Sequence, residues 1–232
     1  MTELEEALEK IVREGYDKIA PEFATSRRRG SGPKIEKFLS YLPKSGSILD
    51  LGCGSGRLIP YLSPELEYLG VDPSPKLLAL AKEAYPQHRF KQGDFSEADH
   101  WGQFSAVVSL AAWHHLASSA GRLEALSKMA QATLPGGVII ISVWNFWGRL
   151  KRRRQLWRNF WLRPRLGGKR LAANDLLFPW KNQAGETIAL RYYHAFSRIE
   201  IKKLLKSAKA RPEDYRLISD ADNHWLIWRP SA

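Results

Sequence analysis

The sequence is poor in sulfur, with one cysteine, Cys53, and two methionines in 232 residues. A lone cysteine excludes an internal disulfide and suits a reducing compartment. No Cys/His cluster has the spacing of a structural zinc site, so no metal is expected. No apolar run approaches the roughly 20 residues that span a bilayer, so no membrane-spanning helix is expected. The opening MTELEEALEK is acidic and amphipathic, unlike a secretory leader, and a cytoplasmic protein is expected. Acid is also missing from one long stretch, residues 144–170, WNFWGRLKRRRQLWRNFWLRPRLGGKR, which holds ten Lys and Arg and four Trp. That stretch accounts for most of the net charge of +12, from 36 Lys and Arg against 24 Asp and Glu. Such an excess favours polyanions: RNA, DNA or anionic lipid.

What is present is a rhythm of strands and helices. Leu4, Leu8, Ile11, Tyr16, Ile19 and Phe23 recur at helical spacing, so 2–23 reads as one or two amphipathic helices. SRRRGSGP (26–33) reads as a basic loop, after which KIEKFLSYL resumes a helix. SILDLG (47–52), LEYLGVD (66–72), HRFKQGD (88–94), FSAVVSL (104–110) and LPGGVIIISVW (134–144) read as strands. Helices over 56–62, 75–84 and 119–132 fill the gaps, which predicts a parallel sheet covered on both faces. Beyond the basic stretch come a helix (197–208) and two strands, EDYRLISD and NHWLIWR, close enough to pair antiparallel. The chain reads as one α/β domain, 1–232, with an N-terminal helical cap at 1–44. A basic, Trp-rich insertion for substrate docking spans 145–190.

DLGCGSG (50–56) lies between a strand and a helix. Glycines there free φ and let backbone approach a ligand, and a helix N-terminus favours negative groups. Structural turns use glycine too, but two later acids narrow the reading. Asp72 ends the next strand, where a carboxylate can accept hydrogen bonds from a ribose. Asp94 ends the third strand in QGDF. Acids at three successive strand ends would repel a pyrophosphate and accept a cationic nucleoside.

ILDLGCGSGRL, LGVDPS, QGDF and LPGG, in this order and spacing, resemble the class I S-adenosylmethionine-dependent methyltransferases over about residues 45–145. The resemblance implies a Rossmann-like, seven-stranded sheet in the order 3-2-1-4-5-7-6, with the last strand antiparallel. It implies S-adenosyl-L-methionine as cofactor, with Gly52, Gly54 and Gly56 around the methionine part. Asp72 would hold the ribose, and Asp94 and Phe95 would sit near the adenine. Asp50, Cys53, Pro73, Ser74 and Leu110 complete the implied cofactor set, Cys53 only as a small loop residue.

GYDKIAPEFATSR (15–27), AAWHHL (111–116), LLFPW (176–180), RYYHAFS (191–197) and DADNHWLIW (220–228) carry a narrower resemblance. Together they are similar to the tRNA wobble-uridine carboxymethyl methyltransferases, which include the methyltransferase half of the animal AlkB-like tRNA enzyme. Members convert 5-carboxymethyluridine to its methyl ester, and eukaryotic members work with a small zinc-binding activator subunit, a candidate partner beside tRNA. This chain departs from the family in having Ser26-Arg27 for Thr-Arg, Gly32-Pro33 for Trp-Pro, and His224 within the terminal Asp-Asn-Trp.

A carboxymethyl group with a pKa of roughly 4 is already an anion at pH 7, so no general base is needed. The site must position that carboxylate and exclude water. Arg through a fork, or His and Tyr donors, suits the task. The candidates are Arg27, His114, Arg191, Tyr193 and His194, with His114 nearest the methyl on topology and His115 assigned to packing. Tyr192 and Tyr193 should point opposite ways on an extended segment, one of them into the core. Asn223 and Trp225 are candidates to touch the base and Tyr16 to touch substrate or RNA, while Arg28 and Arg29 read as solvated or phosphate-contacting residues. In the basic stretch Trp147, Leu150, Trp157 and Trp161 fall near one helical face, with Arg152, Arg153, Arg154 and Arg158 mostly elsewhere. RNA contact, a membrane-surface helix and a plain solvated face all fit that pattern. The arrangement expected is Trp inward and Arg toward phosphate. Methylation of a small metabolite, or RNA binding without catalysis, are the competing functions.

Overall fold

The computed structural model describes residues 2–28, 35–162, 165–182 and 184–231, with only the backbone of Arg27, Arg28 and Leu162. Helix α1 (Glu3–Lys18) opens on a capping box: Thr2 Oγ1 accepts from Glu5 N, and the Glu5 carboxylate accepts from Thr2 N. Helix α2 (Ala20–Arg28) follows. KIEKFLSYL forms two 3-10 turns, Ile35–Lys37 and Leu39–Tyr41, in place of the expected helix. Then come β1 (Gly46–Leu51), β2 (Leu66–Asp72), α3 (Pro75–Ala84), β3 (Arg89–Gln92), β4 (Phe104–Leu110), α4 (Ser119–Gln131) and β5 (Thr133–Trp144). The segment after the glycine loop is another departure, since only a 3-10 turn, Ile59–Tyr61, forms within 56–62. Pro60 and Pro64 prevent a longer helix, so no α-helix dipole faces the loop.

Helix α5 (Leu150–Leu162) leaves the end of β5, and the short strands β6 (Arg165–Leu166) and β7 (Lys169–Arg170) pair beyond it. A separate hairpin, β8 (Asp175–Lys181) and β9 (Thr187–His194), precedes α6 (Arg198–Ser207), β10 (Tyr215–Ser219) and β11 (Asn223–Trp228). The main sheet runs β3-β2-β1-β4-β5-β11-β10, the expected 3-2-1-4-5-7-6 when its own strands are counted. β11 is antiparallel to both neighbours.

The two faces of this sheet bury separate cores, as side chains that alternate along a strand require. Leu49, Val107, Ile139 and Leu226 face one core with Trp113 and Phe196. Ile48, Ala106, Ile140 and Trp225 face the other with Phe38. The β8–β9 hairpin lies outside the sheet and packs under α1. Gly15 makes that contact possible, because a Cβ there would stand 2.4 Å from the Leu190 carbonyl oxygen.

Candidate active site

A cavity of about 540 Å³ opens at the carboxyl ends of β1, β2 and β4. Asp50, Gly52, Cys53 and Gly54 line it from the first loop, Asp72, Pro73 and Ser74 from the second, Asp94 and Phe95 from the third, and Leu110 from β4. Gly56 is not on the wall; its Cβ position faces Tyr85. Glu5, Glu9, Val12, Arg13 and Tyr16 lie on one face of α1 and close another side.

Asp72 ties the loops together. Its Oδ2 accepts from Gly54 N at 2.8 Å and its Oδ1 from Ser74 N at 2.9 Å. Burial pushes its carboxyl up to about 6, against the pull of those two N–H groups. Asp50, buried beneath the loop, accepts from the Tyr68 hydroxyl at 2.8 Å. Burial, with Asp72 nearby, pushes Asp50 up to about 7 despite that hydrogen bond. Gly52 has φ of +74°, and a Cβ there would stand 2.3 Å from the Ala112 Cβ, so the first loop and the turn after β4 touch. Two buried acids that ionise reluctantly suit a ligand bringing positive charge and hydroxyl donors. A sulfonium nucleoside brings both, and the cavity lies in the ordinary size range for such a ligand. The residues present therefore fit S-adenosylmethionine. Cys53 is buried, and that burial pushes its thiol well up, so it stays protonated and inert.

The turn after β4 reverses one expectation. Trp113 anchors it, stacked on Phe196 at 4.4 Å and donating from Nε1 to the Arg122 carbonyl. His114 consequently turns inward, where its Nδ1 accepts from Trp144 N at 3.2 Å. His115, assigned to packing, lines the cavity instead. Its Nδ1 lies 2.6 Å from the Tyr192 carbonyl oxygen and therefore carries the proton, leaving Nε2 to accept the Tyr16 hydroxyl at 2.9 Å.

Behind His115 stands an aromatic nest. Tyr193 stacks on Trp144 at 4.8 Å and meets the His115 ring at 4.7 Å. The Arg191 guanidinium lies 4.7 Å from the Trp180 ring and 5.4 Å from the Tyr193 ring. Arg191 is 6% exposed, and its Nε has no hydrogen-bond partner. No carboxylate among the described residues forms an ion pair with it. Phe23, on the cavity wall, lies 6.1 Å from Trp180. Arg191, Trp180 and Tyr193 thus adjoin the cavity through His115 and Phe23 without lining it.

Other candidates stand elsewhere. His194 is committed to structure: Nδ1 meets Asp175 at 2.8 Å and Nε2 meets Glu200 at 2.7 Å, joining the hairpin to α6. Burial opposes its protonation, but the two carboxylates outweigh burial and raise its pKa. Tyr192 and Tyr193 do face opposite ways, yet both are buried, Tyr192 with its hydroxyl on Asp175. Asn223 begins β11 opposite Trp144. Trp225 packs on Phe38 at 5.3 Å in the core, away from the cavity. The side chains of Arg27 and Arg28, and all of Arg29, lie outside the described residues.

The basic helix is inverted relative to expectation. Arg152 points inward, bridging Asp222 and the Asn145 carbonyl and lying 5.3 Å from the Trp144 ring. Leu156 is buried beside Phe146 and Tyr193. Trp147, Leu150, Trp157 and Trp161 are exposed by 42%, 62%, 57% and 75%. Arg153, Arg154 and Arg158 are exposed alongside them. Sequence reasoning missed Arg13, Phe23, Arg57, Trp144 and Trp180. Phe23 left a signal in its spacing of seven from Tyr16, onto whose ring it packs at 5.0 Å, and Trp180 left one in the LLFPW motif.

A family model described as "Methyltransferase domain" matches residues 48–137. A tRNA (carboxymethyluridine(34)-5-O)-methyltransferase of Schizosaccharomyces pombe is 28% identical over 237 residues, covering 94% of this chain and 95% of that one. A protein of Encephalitozoon cuniculi named as a methyltransferase is 30% identical over 191 residues, 81% of each chain. An Arabidopsis thaliana relative with the same name as the yeast protein is 33% identical over 136 residues, 58% of this chain, and this chain spans only 33% of its length. The solved structure of the CcbJ methyltransferase from Streptomyces caelestis shares the fold, with a TM-score of 0.67 at 17% identity over 95% of this chain and 99% of that one. With the sheet order, the acid-lined cavity and these likenesses in agreement, the chain belongs to the S-adenosylmethionine-dependent methyltransferases.

Proposed function

We propose that the protein esterifies the carboxylate of 5-carboxymethyluridine at the wobble position of tRNA. The observation that carries this reading is Arg191, a buried guanidinium beside the cofactor cavity with no carboxylate partner among the described residues. A buried charge is costly unless something pairs with it, and a substrate carboxylate supplies the pair. The bound cofactor supplies an electrophilic methyl on a sulfonium. When bound, that methyl would pass to the carboxylate oxygen, with the carbon–sulfur electron pair left on sulfur, and this chain's part is to hold the oxygen in line with it. One positive and one negative charge disappear, so a low-dielectric surround favours the step.

Tyr193, Trp144, Trp180 and Phe23 supply that surround and exclude water. Arg191 orients the carboxylate, while stacking on Trp180 and Tyr193 keeps the guanidinium from moving. His115 and Tyr16 form a hydrogen-bonded pair at the cavity wall, and no residue need remove a proton. Residues 145–190 dock the tRNA, with Arg153, Arg154 and Arg158 on phosphates. The relatives named for this reaction support the substrate assignment. The test is methylation of bulk tRNA with labelled cofactor, followed by nucleoside mass spectrometry. A methyl ester on carboxymethyluridine, removed by alkali, is expected; label on a ring nitrogen or a ribose refutes the proposal.

A further inference from the structure

Helix α5 carries an outward stripe that phosphate contact alone leaves unused. At 100° per residue, Arg152, Leu156 and Asn159 share the inward face, held by Asp222, the Tyr193 cluster and the Asp175 carbonyl. Leu150, Trp157 and Trp161 fall within about 40° of one another on the opposite side. Arg153 borders this stripe on one flank, and Arg154 and Arg158 border it on the other. These three arginines make no ion pair among the described residues. Two indoles, exposed by 57% and 75% and one helical turn apart, therefore stand in a cationic frame.

We propose that Trp157 and Trp161 stack on unpaired bases of an RNA strand whose phosphates the flanking arginines hold. This inference rests on the tRNA reading. Charge complementarity selects a polyanion, because residues 144–170 contain no acid and the nearby Asp222 is taken by Arg149 and Arg152. The ring character of the stripe selects bases: π faces offer stacking to an unpaired base, whereas a duplex keeps its bases stacked inside. The stripe of Leu150, Trp157 and Trp161 is narrow and bordered by arginine on both flanks, whereas a helix that lies in lipid presents a broad apolar face. The helix begins six residues past the end of β5, on the edge of the sheet where the cavity opens. The inward face of the same helix packs on the Tyr193 cluster that borders Arg191.

The test titrates a synthetic anticodon stem-loop RNA, a blunt RNA duplex and phosphatidylserine vesicles, each read by tryptophan fluorescence and by affinity across salt. For W157A/W161A, stem-loop affinity should fall about 10- to 100-fold, with loss of quenching and an unchanged salt slope, since stacking releases no counterions. W157F/W161F should retain most of the affinity. Substituting Gln for Arg153, Arg154 and Arg158 together should flatten the salt slope by about 2 to 3. Retained cofactor affinity shows that each variant is folded. Unchanged stem-loop binding by W157A/W161A, equal loss on the duplex, or loss confined to the vesicles overturns the proposal. Binding is read without turnover, so a parent enzyme that binds stem-loop but makes no methyl ester refutes the tRNA-ester reading and leaves the stacking result standing.

Discussion

Asp72→Asn should make the cofactor-free protein less sensitive to pH while weakening its hold on S-adenosylmethionine. Asp72 is 6% exposed, and its carboxyl is raised from an ordinary 3.8 to about 6. The native state therefore keeps its proton to higher pH than the unfolded chain does. The stabilisation linked to that proton is complete below about pH 4 and is lost as pH rises through about 6. Worked from those two values, wild type loses about 3 kcal/mol between pH 4 and pH 8 through this group. An amide does not titrate, so Asp72→Asn should lack that part of the slope. It also loses one acceptor toward Gly54 N or Ser74 N, costing about 1–3 kcal/mol at every pH. Urea denaturation at several pH values separates the two effects, since one is a slope and the other an offset. With an ionised acceptor replaced by a neutral one, cofactor affinity should fall about 10- to 100-fold at pH 8. Parallel stability profiles for variant and wild type would refute the reasoning, as would a variant that binds cofactor normally.

Arg191→Met should raise KM for carboxymethyl RNA with cofactor affinity unchanged, and should stabilise the free protein by about 1–2 kcal/mol by removing a buried unpaired charge; thermal melting and steady-state kinetics read both, and destabilisation would show that Arg191 already has a partner. His194→Asn should cost about 3–5 kcal/mol, because Asp175 and Glu200 lose the cation between them. The raised His194 pKa adds a sign: its stabilisation is present below about pH 6.5 and is lost as pH rises past the raised value, so wild type and variant should converge in alkaline urea melts. Gly52→Ala should lower both Tm and cofactor affinity, since its Cβ would overlap Ala112 at φ of +74°; calorimetry showing normal binding would mean that the turn at 111–112 yields freely.

The strand order and the chemistry at the strand ends were legible because they are local. Asp50, Asp72 and Asp94 stand at or just past the carboxyl ends of β1, β2 and β3, and parallel strands bring such ends to one edge. Orientation within short turns was not legible. His114 and His115 are neighbours, and which one faces the cavity depends on Trp113 stacking against Phe196, 83 residues later. The same limit applied to α5. Periodicity located a Trp stripe, but Asp222, far along the chain, drew Arg152 inward and left the indoles outside. His194 matched a family motif, yet Asp175 and Glu200 occupy both its nitrogens.

The Asp220–Asp222 turn also decides how firmly helix α5 is held. Helix α5 is encoded at 150–162, but its clamp to the body is the Asp220–Asp222 turn, through Asn145, Arg149 and Arg152. The residues that line the cavity end at Ala125, far upstream of that turn in the chain. Asp72 ties the cavity loops to one another, so loosening the turn would free the helix and leave those loops in place. The position of α5 is therefore set where β11 lies between β5 and β10 and the turn that leads into it closes on the two arginines.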